Sequence, residues 1–430
     1  MKQEVEEKRV KNRGQKRSLI QHGELSRRQF LTGSAVIGTS LALQGSGLFS
    51  RLAWGQTKPL KIGVMEPFSG VYASLGKHAL QGIEAVCEQY DWKVAGRPIE
   101  LIKEDDENNP QVGLRKARKL VEQDKVDALM GIVSSATVYP LKQYCNEAKI
   151  IWIGLACAAN DGFRKANNSP YAFRASHSTW QISRPPGDWL AKKGYKKVFI
   201  IGPDYAMGHD MTISFKEGWL DAGGSAPVGV LYAPLGTTDY APYLAKIKQV
   251  EPDVVYGSFA GTDAVRFVKQ FDEFGLKKNI KLTGMGYMVE EDTTDAQGDS
   301  AVGVITSVLS CWGLEIPENN RFKEAIKKRY NTQPTVDEYS AACGAMALLE
   351  AVKKVGGNTS DQLALCKALE QVNFISPRGP FRFDPDTHNV IGNVYIRESK
   401  KVKGEIHNYV VATYENQTHP HVAREGITSR

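Results

Sequence analysis

Between residue 58 and about residue 283 the chain alternates between two hydrophobic rhythms. Short apolar runs rich in β-branched residues (Leu60-Lys-Ile-Gly-Val-Met65, Arg97-Pro-Ile-Glu-Leu-Ile102, Val126-Asp-Ala-Leu-Met-Gly131, Ile150-Ile-Trp-Ile153) predict buried strands. Between them, apolar residues recur at three- and four-residue spacing. Leu80, Ile83, Val86 and Cys87 predict a helix over 76–90, and further helices follow over 110–123 and 137–147. After Tyr171-Ala-Phe-Arg174 the same order restarts. Helices are predicted over 178–193, 209–222, 239–249 and 262–274, and strands over 197–201, 227–232, 253–258 and 280–283. Helices over 318–330, 336–355 and 360–372 come next. Strands at 381–383, 394–397 and 409–412 make a β-rich end, and residues 415–430 are polar and read as a loose tail.

Strands alternating with helices of this length pack as parallel sheets covered on both faces by helices. Two such halves give a two-lobed α/β protein. In open parallel sheets ligands sit beyond the carboxyl ends of the strands. Every turn just described lies at such an end, so a small-molecule site is expected in the cleft between the lobes.

Composition changes this picture at one place, the N-terminus. The formal net charge of the 430 residues is +7, and +6 of it falls in residues 1–55. The remainder is nearly neutral, which removes the main support for nucleic-acid binding. Residues 1–25 are charged. Ser26-Arg27-Arg28-Gln29-Phe30-Leu31 follows, then an uncharged Gly/Ser-containing apolar stretch to Phe49, then Arg51-Leu-Ala-Trp-Gly55. This is the layout of a cleaved export signal, and the paired arginines resemble the twin-arginine type. The mature chain is expected to begin near Gln56, in the periplasm.

An oxidising compartment permits disulfides among Cys87, Cys145, Cys157, Cys311, Cys343 and Cys366, but sequence does not fix a pairing. None forms a C-x-x-C pair, no histidine stands at zinc-ligand spacing, and no metal or cofactor is expected. The chain lacks G-x-S-x-G, P-loop and H-E-x-x-H patterns, so no enzyme chemistry is expected. Asp105 and Asp106 stand beside Pro110 and two asparagines and read as turn residues. The histidines, His78, His177, His209, His388 and His407 among them, are scattered singly and read as surface or hinge residues.

Several segments in order resemble one family. They are Lys61-Ile-Gly-Val-Met-Glu-Pro-Phe-Ser-Gly70, Gly76…Gly82, Asp105-Asp106-x-x-x-Pro110, Gly131-Ile-Val-Ser-Ser135, Tyr171-Ala-Phe-Arg174, Asp204-Tyr-Ala-Met-Gly208, Val254-Val-Tyr-Gly257 and Gly379-Pro-Phe-Arg-Phe383. Together, over about residues 58–414, they resemble the type I periplasmic solute-binding proteins of ABC importers. The nearest branch is the leucine/isoleucine/valine-, amide- and aromatic-acid-binding group. The resemblance implies two lobes, each a parallel sheet flanked by helices, joined by a three-stranded hinge. It places 58–175 plus 310–374 in lobe one and 178–305 plus 378–414 in lobe two, with crossings near 174–178, 306–311 and 375–378. It also implies a monomer that closes on a small molecule and docks on membrane permease subunits. A sensory receptor of the same fold and an exported α/β enzyme are the alternatives.

Site residues follow from the resemblance one at a time. Ser134, with Ser135 beside it, matches the serine that grips a ligand carboxylate; a hydroxyl and helix N-terminal N–H groups suit an anion. Ala156, Cys157 and Ala158 occupy the next strand-end loop, where Ala158 replaces a usual threonine. In lobe two Tyr205 and Phe259 match aromatic contacts, and Tyr72 and Tyr287 lie on turns facing the cleft. The family's amino-acid binders carry an acid after the strand corresponding to 280–283. Here Gly284-Met-Gly-Tyr-Met288 stands in its place, and Glu290, Glu291 and Asp292 come late. Non-amino organic acids and amides are therefore ranked ahead of leucine-like amino acids.

The leader supplies the first test. Replacing Arg27 and Arg28 by lysine should leave precursor in the cytoplasm, measured by fractionation and immunoblotting; normal export of that variant would exclude the twin-arginine route.

Overall fold

The computed structural model describes residues 58–429. The predicted signal at 1–55, with Arg27-Arg28, lies outside the described residues. Among those described, the first sheet contains β1 (Leu60–Glu66), β2 (Lys93–Val94), β3 (Arg97–Asp105), β4 (Ala128–Gly131), β5 (Trp152–Gly154) and β6 (Ala172–Arg174), in the order β2-β3-β1-β4-β5-β6. All neighbours are parallel except the β2–β3 hairpin. Helices α1 (Ala73–Gln89), α2 (Pro110–Arg118) and α3 (Val138–Ala148) connect these strands.

The second sheet holds β7 (Val198–Pro203), β8 (Gly229–Ala233), β9 (Val254–Gly257), β10 (Lys281–Met285) and β11 (Ile305–Val308), all parallel. Helices α4 (Thr179–Lys192), α5 (Ala206–Asp221), α6 (Ala241–Val250), α7 (Gly261–Glu273) and the single turn α8 (Thr294–Gln297) accompany it. The chain then supplies α9 (Pro317–Tyr330), α10 (Val336–Lys354) and α11 (Gln362–Glu370). It returns as β12 (Asn373–Ser376), β13 (Gly379–Phe383), β14 (Val390–Val402) and β15 (Glu405–Gln417), antiparallel strands added to the second sheet through the β11–β14 pair. The second sheet is thus parallel-dominated and not parallel throughout. The architecture is the expected two-sheet α/β fold.

Local chemistry explains the elements. The Asp105–Pro110 turn works as such: Asp105 Oδ1 accepts from the N–H groups of Phe68 and Glu107, and Asp106 Oδ1 from that of Asn108. Asn109 then caps α2 by accepting from the Gln111 and Val112 N–H groups, with Pro110 at the first helical position. Ser178 and Gln181 form a reciprocal capping box on α4, and Thr335 and Glu338 form one on α10. The Gly76…Gly82 spacing has a packing cause. A Cβ on Gly76 would meet the Pro67 carbonyl oxygen at 2.2 Å, and one on Gly82 would meet that of Glu338 at 2.4 Å, where α1 lies on α10.

One large core runs through both sheets, from Ile62 and Val64 of β1 to Val255 of β9 and Phe267 of α7. A satellite core around Trp152 lies under α2 and α3, and another around Trp219 lies under α5. The six cysteines are buried and free. The C-terminal residues are not the loose tail that polarity alone led us to expect. β15 continues to Gln417, His419 is fully buried, Lys216 Nζ donates to the Thr428 carbonyl at 3.1 Å, and the Tyr232 hydroxyl donates to that of Ser429 at 2.7 Å. His421 Nε2 lies 3.0 Å from Asp384 and its Nδ1 3.7 Å from Asp386, a cluster in which Lys165 already pairs with Asp386 at 3.1 Å. No helix of the described residues is long and apolar enough to cross a membrane.

The most deeply buried ion pair among the described residues joins the loop after β10 to β14. Arg397 Nη2 donates to Glu290 Oε1 at 2.6 Å, and both side chains are almost fully enclosed. Glu290 Oε2 accepts from the Val336 N–H at 2.9 Å, at the start of α10. Burial pushes the Glu290 carboxyl up, while Arg397 and the Val336 N–H pull it down. Removing one partner of such a pair leaves an uncompensated buried charge. Glu290→Gln should cost about 3–5 kcal/mol of stability by that mechanism. A denaturant midpoint unchanged from wild type would show that the pair is not structurally required.

Candidate functional site

The carboxyl ends of the two sheets face each other across a cavity of about 210 Å³, below the range of about 300–1,000 Å³ usual for organic ligand sites. Four loops of the first sheet line it. Tyr72 and Leu75 follow β1, Asn108 follows β3, Val133 to Ala136 follow β4, and Ala156 and Ala158 follow β5. From the second sheet come Tyr205, Ala206 and Met207 after β7, Leu235 after β8, Ala260 after β9, and Met285 and Tyr287 at the end of β10. Met211 of α5 and His177, in the link between β6 and α4, complete the lining. Most of this surface is apolar.

Ser134 occupies the N-cap of a 3-10 turn, Ser135–Thr137, that runs directly into α3, and its side chain makes no capping bond. Its hydroxyl and that of Ser135 are thus presented at a helix start, where backbone N–H groups and the helix dipole favour negative charge. The loop holding Ala156 and Ala158 is fixed from behind. The fully buried Arg174 donates through Nη1 to the Ala159 carbonyl at 2.6 Å and through Nε to Asn389 Oδ1 at 2.7 Å, and its guanidinium lies 4.6 Å from the Phe163 ring centre.

Two tyrosine contacts cross the cleft. The Tyr72 and Tyr205 hydroxyls hydrogen-bond at 3.1 Å, joining the loop after β1 to the start of α5. The Tyr287 hydroxyl donates to Asp337 Oδ1 on α10 at 3.0 Å. Burial pushes all three phenols up from their ordinary range, so they stay neutral donors and apolar walls.

Of the nine residues singled out from sequence, seven line this cavity: Tyr72, Ser134, Ser135, Ala156, Ala158, Tyr205 and Tyr287. Cys157 and Phe259 do not. Along the β5 loop the alanines face the cleft and Cys157 turns back into the Trp152 core, so close to Gly154 that a Cβ there would meet its Sγ at 2.5 Å. Burial raises its thiol to about 12. The Phe259 ring is packed edge-on against Tyr240 and beside Phe267, at centroid distances of 5.2 and 4.8 Å, and its neighbour Ala260 lines the cavity instead. The late acids stay out of the cavity as well. Glu290 is committed to Arg397, and Glu291 accepts from the backbone and side-chain N–H groups of Asn408, both at 3.1 Å.

Among the described residues, no carboxylate lines the cavity. Behind the lining, Glu66 at the end of β1 is fully buried, and neither of its carboxyl oxygens has a hydrogen-bond partner among the described residues. Burial, with Asp106 and Asp337 nearby, pushes it well above the usual carboxylate range. His177 and Asn108 are the polar liners that sequence reasoning set aside. His177 is 1 % exposed and lies in the link between β6 and α4, so of the surface and hinge positions expected for the isolated histidines the surface one does not hold for it.

Comparison with known proteins agrees with this geometry. The profile of a family described as periplasmic binding protein matches residues 59–404. A Leu/Ile/Val-binding protein homolog 6 of Brucella melitensis is 29% identical over 370 residues, covering 84% of this chain and 93% of its own. The solute-binding protein of an ABC transporter from Rhodopseudomonas palustris BisB5, solved with 3,4-dihydroxybenzoic acid, is 33% identical with a TM-score of 0.80, covering 84% of this chain and 99% of that one. Another solute-binding protein from R. palustris, solved with benzoate, is 30% identical with a TM-score of 0.78, covering 85% and 99%. The chain therefore belongs to the periplasmic binding protein family and is of the substrate-binding type found in ABC transporters.

Proposed function

We propose that this protein captures a small aromatic or aliphatic carboxylate in the cleft and delivers it to ABC permease subunits in the membrane. The observation that carries the reading is the carboxylate-free lining of the cavity among the described residues, together with the Ser134 and Ser135 hydroxyls at the start of α3. A buried α-ammonium would find no counter-charge there, at a cost of several kcal/mol. A carboxylate would meet hydroxyls and helix N–H groups, and its apolar body would lie against Tyr72, Tyr205, Tyr287 and the methionines. The ligands named for the two R. palustris relatives support an aromatic acid. The name of the Brucella relative favours a second reading, a branched-chain amino acid. Binding without turnover, a monomeric state, and a periplasmic location reached through the Arg27-Arg28 signal belong to the same proposal.

Titration calorimetry with benzoate, 4-methylpentanoate and leucine tests it. At least one of the two acids should bind, and leucine should bind about 100-fold more weakly or not at all. Ser134→Ala should weaken the acid about tenfold or more, the worth of one hydrogen bond to a charged group. Leucine binding as tight as that of either acid would refute the carboxylate reading.

A further inference from the structure

Resting on the aromatic-acid reading above, we propose that His177 selects for a hydroxylated ring, its imidazole hydrogen-bonding a ring hydroxyl of a hydroxybenzoate-like ligand whose carboxylate is held at Ser134 and Ser135. The three phenol hydroxyls around the cavity already have partners. The Tyr72 and Tyr205 hydroxyls are spent on each other and the Tyr287 hydroxyl on Asp337. His177 is different. Its ring lines the cavity and rests against Tyr287 at 5.7 Å between centroids, and its buried Nδ1 has no hydrogen-bond partner among the described residues. An unpaired buried ring nitrogen costs free energy unless something bonds to it. His177 lines the cavity, so a bound ligand can approach its ring.

The position is built rigidly. His177 lies in the short link between β6 and α4, where the chain passes from one sheet to the other. Arg174 anchors one side of this link at Ala159 and Asn389. Arg378 donates to the Ala175 carbonyl and, at 3.3 Å, to the Ser340 hydroxyl. Ser178 caps α4 on the other side. Full burial, with the same two arginines nearby, holds the imidazole neutral, its pKa lowered to about 3. A neutral ring offers one donor and one acceptor, which suits a phenol hydroxyl better than a second carboxylate oxygen. Sites built around a buried polar group reject the analogue that lacks the matching group far more strongly than apolar pockets reject an added one.

Calorimetry with benzoate and 4-hydroxybenzoate on wild type, His177→Leu and His177→Gln tests this assignment. Wild type should prefer the hydroxylated acid by about tenfold. His177→Leu should erase that preference while keeping benzoate binding, which also proves the variant folded. His177→Gln, which keeps a donor and an acceptor, should retain part of it. Asn108, whose Oδ1 also lacks a partner among the described residues at the cavity, is the control. The proposal is overturned if wild type binds both acids equally, if His177→Leu keeps the preference, or if only Asn108→Ala removes it. Absence of binding of either acid to wild type would instead remove the aromatic-acid reading on which this one rests.

Discussion

The site depends on where the loop after β10 spends its acid. Glu290 is locked between Arg397 of β14 and the first N–H of α10, so the loop is pulled toward the antiparallel strands and away from the cleft. Arg397 is fully engaged there. Besides Glu290 it donates to the carbonyls of Gly286 and Ser310 and to the Thr306 hydroxyl. A charge buried in this way is tolerable only with its partners in place. The consequence for chemistry is indirect but strong. With the acids withdrawn, the residue presented to the cavity is Tyr287, and its hydroxyl is fixed by Asp337. A charged contact for a ligand ammonium is thereby exchanged for an aromatic wall.

The opposite wall follows from the first sheet. Parallel strands end in line, so the loops after β1, β3, β4 and β5 converge on one face. Their small residues let the backbone come close: Gly131 has a positive φ, and a Cβ there would sit 1.9 Å from the Met65 carbonyl oxygen. The Tyr72–Tyr205 hydroxyl bridge then fixes the distance between the two walls at one edge, and the arginine-braced link carrying His177 fixes it at another.

Sequence revealed the layout and missed the directions of particular side chains. Periodicity located most strands and helices because each buries a contiguous apolar set. It missed β11, Ile305-Thr-Ser-Val308, because half of that strand is polar. Inside the protein those hydroxyls are satisfied, Ser307 by donating to the Ile182 carbonyl and Thr306 by accepting from Arg397. Strand-end logic chose Tyr72 and Tyr287, and both line the cavity; the resemblance missed at Cys157 and Phe259, whose side chains turn into the core while their neighbours face the cavity. Ala156 and Ala158 face the cavity and Cys157 does not, and Ala260 stands where Phe259 was expected. The fate of Glu290 was hidden for another reason: its partner lies 107 residues away, and no local pattern announces it. His177 looked ordinary because a lone histidine carries no spacing signal; its meaning comes from the two arginines brought beside it by β6 and by the turn between β12 and β13.

The lining and the shell behind it present few charges to a ligand. The phenols are kept neutral by burial, as is His177, and Glu66 and Asp337 are pushed well above the usual carboxylate range. Their protonated forms are favoured because burial in a dry interior penalises the charged carboxylate. Had these acids been ionised, they would repel a carboxylate entering the cleft. Had Arg174 and Arg378 faced the cavity directly, they would hold any anion regardless of its body. Instead their charge is consumed by backbone carbonyls behind the lining. What remains for a ligand is a directional set of hydroxyls, helix N–H groups and one neutral imidazole inside an apolar box. Recognition in such a box rests on shape and hydrogen-bond placement.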